Sequence, residues 1–72
     1  MSEVNSMIEG IAKELVLLLM DDFHMDMKTA LHTLYTSDTY VKLQDTKTGF
    51  YFQSPRYVYD FLKTEIKTGK LS

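Results

Sequence analysis

Val4, Ile8, Ile11, Leu15 and Leu19 recur at helical spacing through the first third of the chain, with Ala12, Leu18 and Phe23 widening the stripe. The repeat predicts one long opening helix, capped by Ser2 or Asn5 and acidic in its first turn. Ser6, Glu9, Gly10, Lys13, Glu14 and Asp21 gather on the opposite side. Leu17 falls in the middle of that polar side and Met20 near its edge, where a helix with one buried face should carry neither. One stray exposed leucine is ordinary. The sharper reading makes Gly10, Lys13, Leu17 and Met20 a ridge packed by another helix, including that of a second subunit.

"DDFHMDM" breaks the repeat, and Asp26 can cap a second helix, "MKTALHTLY", with Met27, Ala30, Leu31 and Leu34 as its apolar face. Ser37 can cap a third short element, "DTYVKLQ", which "DTKTG" ends as a polar turn with a glycine able to take positive φ. Two β-prone runs around that turn also fit a β-hairpin, "TYVKLQ-DTKTG-FYFQ". An isolated hairpin is marginal and no third strand is visible, which favours a short helix at 38–44 and an extended segment at 50–53. The last helix has Ser54 as cap, Pro55 at its first position and Gly69 after its final turn. Val58, Phe61, Leu62 and Ile66 form its buried face, while Asp60, Lys63 and Lys67 look outward, and Lys67 and Lys70 suit the negative end of the dipole. Glu65 is anomalous there, projecting between Phe61 and Leu62: it either snorkels at the helix end or pairs with a lysine of another element. The expected fold is mainly α, a small bundle of three to four helices in a single domain over residues 1–72, with a short extended segment or β-hairpin before the last helix.

Six of the nine aromatic residues lie between Phe50 and Phe61. On this layout Phe50, Phe52 and Phe61 point inward, and Tyr57 and Tyr59 sit near the edges with their hydroxyls wet. A base-stacking platform on Tyr51, Tyr57 or Tyr59 beside Arg56 and Lys47 is the functional alternative, but platforms of that kind sit on a sheet with a substantial basic groove. Core and rim is the better reading.

Composition narrows the function classes. A chain of 72 residues buries only ~60% of its unfolded surface, and small scaffolds usually need a staple. The absence of cysteine removes disulfides and thiolate metal sites, fits a reducing cytosol and gives weight to self-association or a protein partner. The longest apolar run, Leu15 to Met20, is far short of a membrane span, and the acidic N-terminus has no basic n-region, so the expected location is cytoplasmic. The net charge of −2 hides an asymmetry: residues 1–26 carry six acids against Lys13, a balance of −5, and residues 27–72 balance at +3. A basic face could meet nucleic acid, though weakly, through Lys42, Lys47, Arg56, Lys63 and Lys67, with the second and third helices imitating a helix-turn-helix.

No nucleophile with a base within reach is evident, since the serines read as caps or ends. His24 and His32 lack metal-site spacing, and Asp22, His24 and Asp26 read as solvated turn residues before a cation site. Asp21–Asp22 reads as a solvated helix end, and the three glycines form no phosphate loop. No catalytic, cofactor or metal residue is therefore expected, and enzyme is the weakest class.

The run from Ala30 to Ile66, with "LYTSDTY", "DTKTGFYFQSP" and "YVYDFLKTEI", resembles a family of short bacterial proteins of unknown function. Such proteins are similar to ones often encoded beside a toxin or enzyme, which implies an accessory or antitoxin-like role and no catalytic residue. The leading expectation is a non-enzymatic interaction module that binds another protein or itself through Gly10, Lys13, Leu17 and Met20. The alternative is a small nucleic-acid-binding regulator.

Overall fold

The computed structural model describes residues 3–69. Four helices follow one another: α1 (Glu3–Asp22), α2 (Met27–Tyr35), α3 (Asp38–Gln44) and α4 (Pro55–Thr68). Single 3₁₀ turns at Thr46–Thr48 and Phe50–Phe52 fill the α3–α4 connection. At 1.5 Å per residue α1 is ~30 Å long, close to the longest extent of the molecule, 32 Å. It is the spine against which α2 and α4 pack, and α3 closes the bundle against α4.

Local signals set most of the boundaries. Asp26 Oδ1 accepts from the Thr29 amide at 2.9 Å and starts α2. Ser37 Oγ accepts from the Tyr40 amide at 3.0 Å and starts α3. Ser54 Oγ accepts from the Tyr57 amide at 3.2 Å and starts α4, with Pro55 in the first turn, where its missing N–H costs nothing. Gly69 ends α4 at φ +92°, its amide donating to the Glu65 carbonyl at 2.7 Å. Of the expected caps for α1, Ser2 lies outside the described residues, and Asn5 sits inside the first turn, so it is not the cap. At the other end Phe23 N donates to the Leu19 carbonyl, and His24 turns the chain at φ +56°.

Leu15 and Leu19 of α1, Ala30 and Leu34 of α2, Leu43 of α3, and Val58 and Leu62 of α4 are fully buried, so every helix sends a side chain to one centre. Among the described residues there is no β-strand, and neither the extended segment at 50–53 nor the hairpin forms. A 3₁₀ turn advances three residues per turn, so Phe50 and Phe52 cannot share a face as they would in a strand. Phe50 is buried, whereas Phe52 is 60% exposed and lays its ring over Gly49. Gly49 adopts φ +74°, and an added Cβ would stand 3.1 Å from that ring.

The aromatic roles therefore differ from expectation. Tyr59 is a core residue, not a rim residue: it is buried, and its hydroxyl donates to Asp22 Oδ2 at 2.8 Å. Position 59 faces α1 and not solvent, because α1 covers that flank of α4. Burial first, then the bond to Asp22 and its charge, push the Tyr59 phenol well above its ordinary range, against a smaller lowering by Arg56. Tyr57 lies outside, edge-on to Phe50 and Phe61.

Glu65 does not snorkel, and its partners among the described residues belong to α3. Its carboxylate reaches the start of α3, where Oε2 accepts from the Asp38 amide at 2.8 Å. Oε1 accepts from the Thr39 amide at 3.0 Å and the Thr39 hydroxyl at 2.8 Å. The acid on the apolar face of α4 is the tertiary cap of another helix, placed at the positive end of its dipole.

Candidate functional site

The apolar arc of α2 is wider than one neighbour can cover. Met27, Ala30, Leu31, Leu34 and Tyr35 span roughly 140° at helical spacing. Ala30 and Leu34 face the core, Leu31 is half-buried, and Met27 and Tyr35 stand out at 58% and 55% exposure. Met27, on the apolar face of α2 as the spacing predicts, is turned to solvent rather than to the core. It borders an open groove of about 570 Å³ between α1 and α2. Ile8, Ala12, Val16 and Leu31 form the apolar floor. Glu9, Lys13 and Leu17, the last 55% exposed, line it from α1, and Tyr40 of α3 contributes at the end near Ile8.

The groove has few polar groups. Tyr35 and Tyr40 rings lie 5.0 Å apart, tilted by 53°. The Tyr40 hydroxyl accepts from Gln44 Nε2 at 3.2 Å. Burial raises the Tyr40 phenol above its ordinary value, and the neighbouring Tyr35 and the Glu9 charge push it the same way. Glu9 and the Tyr pair thus mark one end of the slot, with Lys13 one turn further along. These residues offer binding contacts, with no nucleophile–base pair among them.

Of the ridge expected from the sequence, Lys13 and Leu17 line the groove. Gly10 is exposed with nothing within 4 Å of where a Cβ would stand, so none of the described helices crosses it. Met20 is half-buried and packs against the core. Its position near the edge of the polar side lets it roll inward, which Leu17 cannot do. The sequence names Met27 and Leu31 as part of the apolar face of α2 without dividing that face between core and surface; the width of the arc is the signal for the division.

The five basic residues spread over three elements. Arg56, Lys63 and Lys67 share the outer stripe of α4, interrupted by Asp60, while Lys42 lies on α3 and Lys47 on the turn after it. The start of α3 holds the Glu65 carboxylate, where a helix-turn-helix reader would approach phosphate and base edges. Asp22 is engaged by Tyr59 and Asp26 by its own helix, and His24 serves the turn. Among the described residues no group of three His, Cys, Asp or Glu side chains could hold a metal ion. None of the described helices is long and apolar enough to cross a membrane.

Fold and site together define a small four-helix α domain with an open apolar groove on its longest helix. Comparison with protein-family models, curated proteins and solved structures finds no match to this chain.

Proposed function

We propose that the domain is a non-enzymatic interaction module that binds another protein through the groove between α1 and α2. The observation that carries this reading is the exposure of Leu17, Met27 and Tyr35 around one apolar floor. Convergent apolar residues in a concave slot are a site for a partner's side chains. An accessory role beside a toxin or enzyme, implied by the resemblance of residues 30–66, is one form such binding would take. Nucleic-acid binding has less to support it, because the basic residues are dispersed and an acid occupies the start of α3.

Selection of peptides from a displayed library on the folded domain, with Leu17→Asp as the counter-target, tests the proposal. A recovered consensus should lose affinity by about tenfold or more on Leu17→Asp, an anchor-sized effect, while the circular dichroism of the variant stays that of the wild type. A consensus indifferent to Leu17→Asp removes the groove as the site.

A further inference from the structure

We infer that Glu65, on α4, is a positioning residue for the groove: its carboxylate holds the first turn of α3 and so sets where Tyr40 stands at the groove's end. This rests on the groove being a binding site and concerns how that site is shaped. Glu65 is not among the residues that line it.

The first turn of α3 has little apolar packing of its own. Asp38 and Val41 are exposed, and Tyr40 is half-buried. Thr39 is the fully buried side chain of that turn, and its hydroxyl donates to Glu65 Oε1. Leu43, the apolar anchor of α3, lies one turn further on. A seven-residue helix does not persist unaided, so its start is fixed by the groups that bond it there. Two side chains do this. Glu65 accepts from the Asp38 and Thr39 amides at 2.8 and 3.0 Å, and Ser37 Oγ accepts from the Tyr40 amide at 3.0 Å. Ser37 Oγ also donates to the Leu34 carbonyl at 2.6 Å, tying the same point to the end of α2. Ser37 is therefore the pivot, and Glu65 fixes the direction in which α3 leaves it.

Tyr40 directly follows the two residues that Glu65 binds. Its ring lies 5.0 Å from that of Tyr35, and both line the groove. α2 supplies Tyr35 and α3 supplies Tyr40, so the pair bounds that end only while α3 keeps its orientation against α2. Withdrawing the carboxylate leaves Ser37 as a swivel, and the Tyr40 ring can part from Tyr35 while Leu43 stays buried. Whatever engages Glu65 on the α3–α4 side is thereby coupled to the groove, and a groove ligand packed on Tyr40 tightens the clasp in return.

Nuclear Overhauser contacts between the Tyr35 and Tyr40 rings test the inference in the wild type, Glu65→Gln, Glu65→Ala and Tyr59→Phe. Tyr59→Phe removes a hydrogen bond between α4 and α1 and controls for a general loss of stability. The ring contact should be present in the wild type, weaker in Glu65→Gln and lost in Glu65→Ala. The Tyr40 ring signals should move with it, the Leu15 and Leu19 methyl signals should stay, and Tyr59→Phe should keep the contact. If Glu65→Ala does not fold, Glu65→Gln decides. A contact absent from the wild type, or intact in the folded Glu65 variants, overturns the inference, since Ser37 and Leu43 then suffice to place α3. Loss of the contact in Tyr59→Phe as well overturns it equally, because general loosening is then the cause. None of these readings needs a ligand, so they fail separately from the groove reading, which falls on a peptide consensus indifferent to Leu17→Asp.

Discussion

Removing the Glu65 carboxylate should disconnect α3 from α4, and the size of the effect follows from what the carboxylate holds. Glu65→Ala deletes three accepted hydrogen bonds at 2.8, 3.0 and 2.8 Å. The Asp38 amide is exposed and can return to water, so the backbone part resembles loss of an N-cap, about 1–2 kcal/mol with the dipole included. Thr39 is fully buried, and its hydroxyl would be left without this acceptor, adding about 1 kcal/mol. The total of about 2–3 kcal/mol is large for a 72-residue domain, which typically has roughly 4–11 kcal/mol in all. It corresponds to a fall of roughly 8–20 °C in Tm. Glu65→Gln keeps one acceptor oxygen and loses the charge, and should cost about half as much. Urea unfolding followed by far-ultraviolet circular dichroism measures both, and a cycle with Thr39→Val should give a coupling of about 1 kcal/mol. A loss below about 0.5 kcal/mol for Glu65→Ala, the level of an ordinary surface change, would refute the capping account.

Three further outcomes follow from the packing. Tyr59 has a folded pKa above its ordinary value of 10.0, so its contribution is full below about pH 10 and is lost as pH rises through the folded pKa; Tyr59→Phe should lower neutral stability by about 1–2 kcal/mol and flatten the alkaline fall seen in denaturant titrations. Gly49→Ala should cost about 1–2 kcal/mol through its positive φ, and removing the neighbouring ring with Phe52→Ala should not restore it, whereas full restoration would make the ring contact the cause. His24→Gly relieves a left-handed residue after α1 and should raise stability by up to about 1 kcal/mol in chemical unfolding, with a decrease refuting that account.

What the sequence discloses here is what neighbours along the chain decide. Asp26, Ser37, Ser54–Pro55 and Gly69 bound their helices because each bonds within four residues of itself. Glu65 was visible as an anomaly, but its partners lie 26 and 27 residues away. Spacing on α4 has no means of naming them. Residues 50–53 misled because aromatic side chains suit a strand and a packed 3₁₀ turn equally, and Gly49 resolves the choice through its conformation, which composition does not reveal. The groove was half legible. Leu17 stood on the wrong side of α1 and is exposed, but its companions on α2 were indistinguishable from core residues until the position of α2 was known.

The Glu65 clasp also bears on the order in which a growing chain can fold. Synthesis runs from the N-terminus, so α1 and α2 emerge first and can pair as a helical hairpin. α3 follows, seven residues long and too short to persist alone. The group that secures its first turn arrives 27 residues after Asp38, inside α4. A nascent chain halted before position 65 therefore has its hairpin but no anchored third helix.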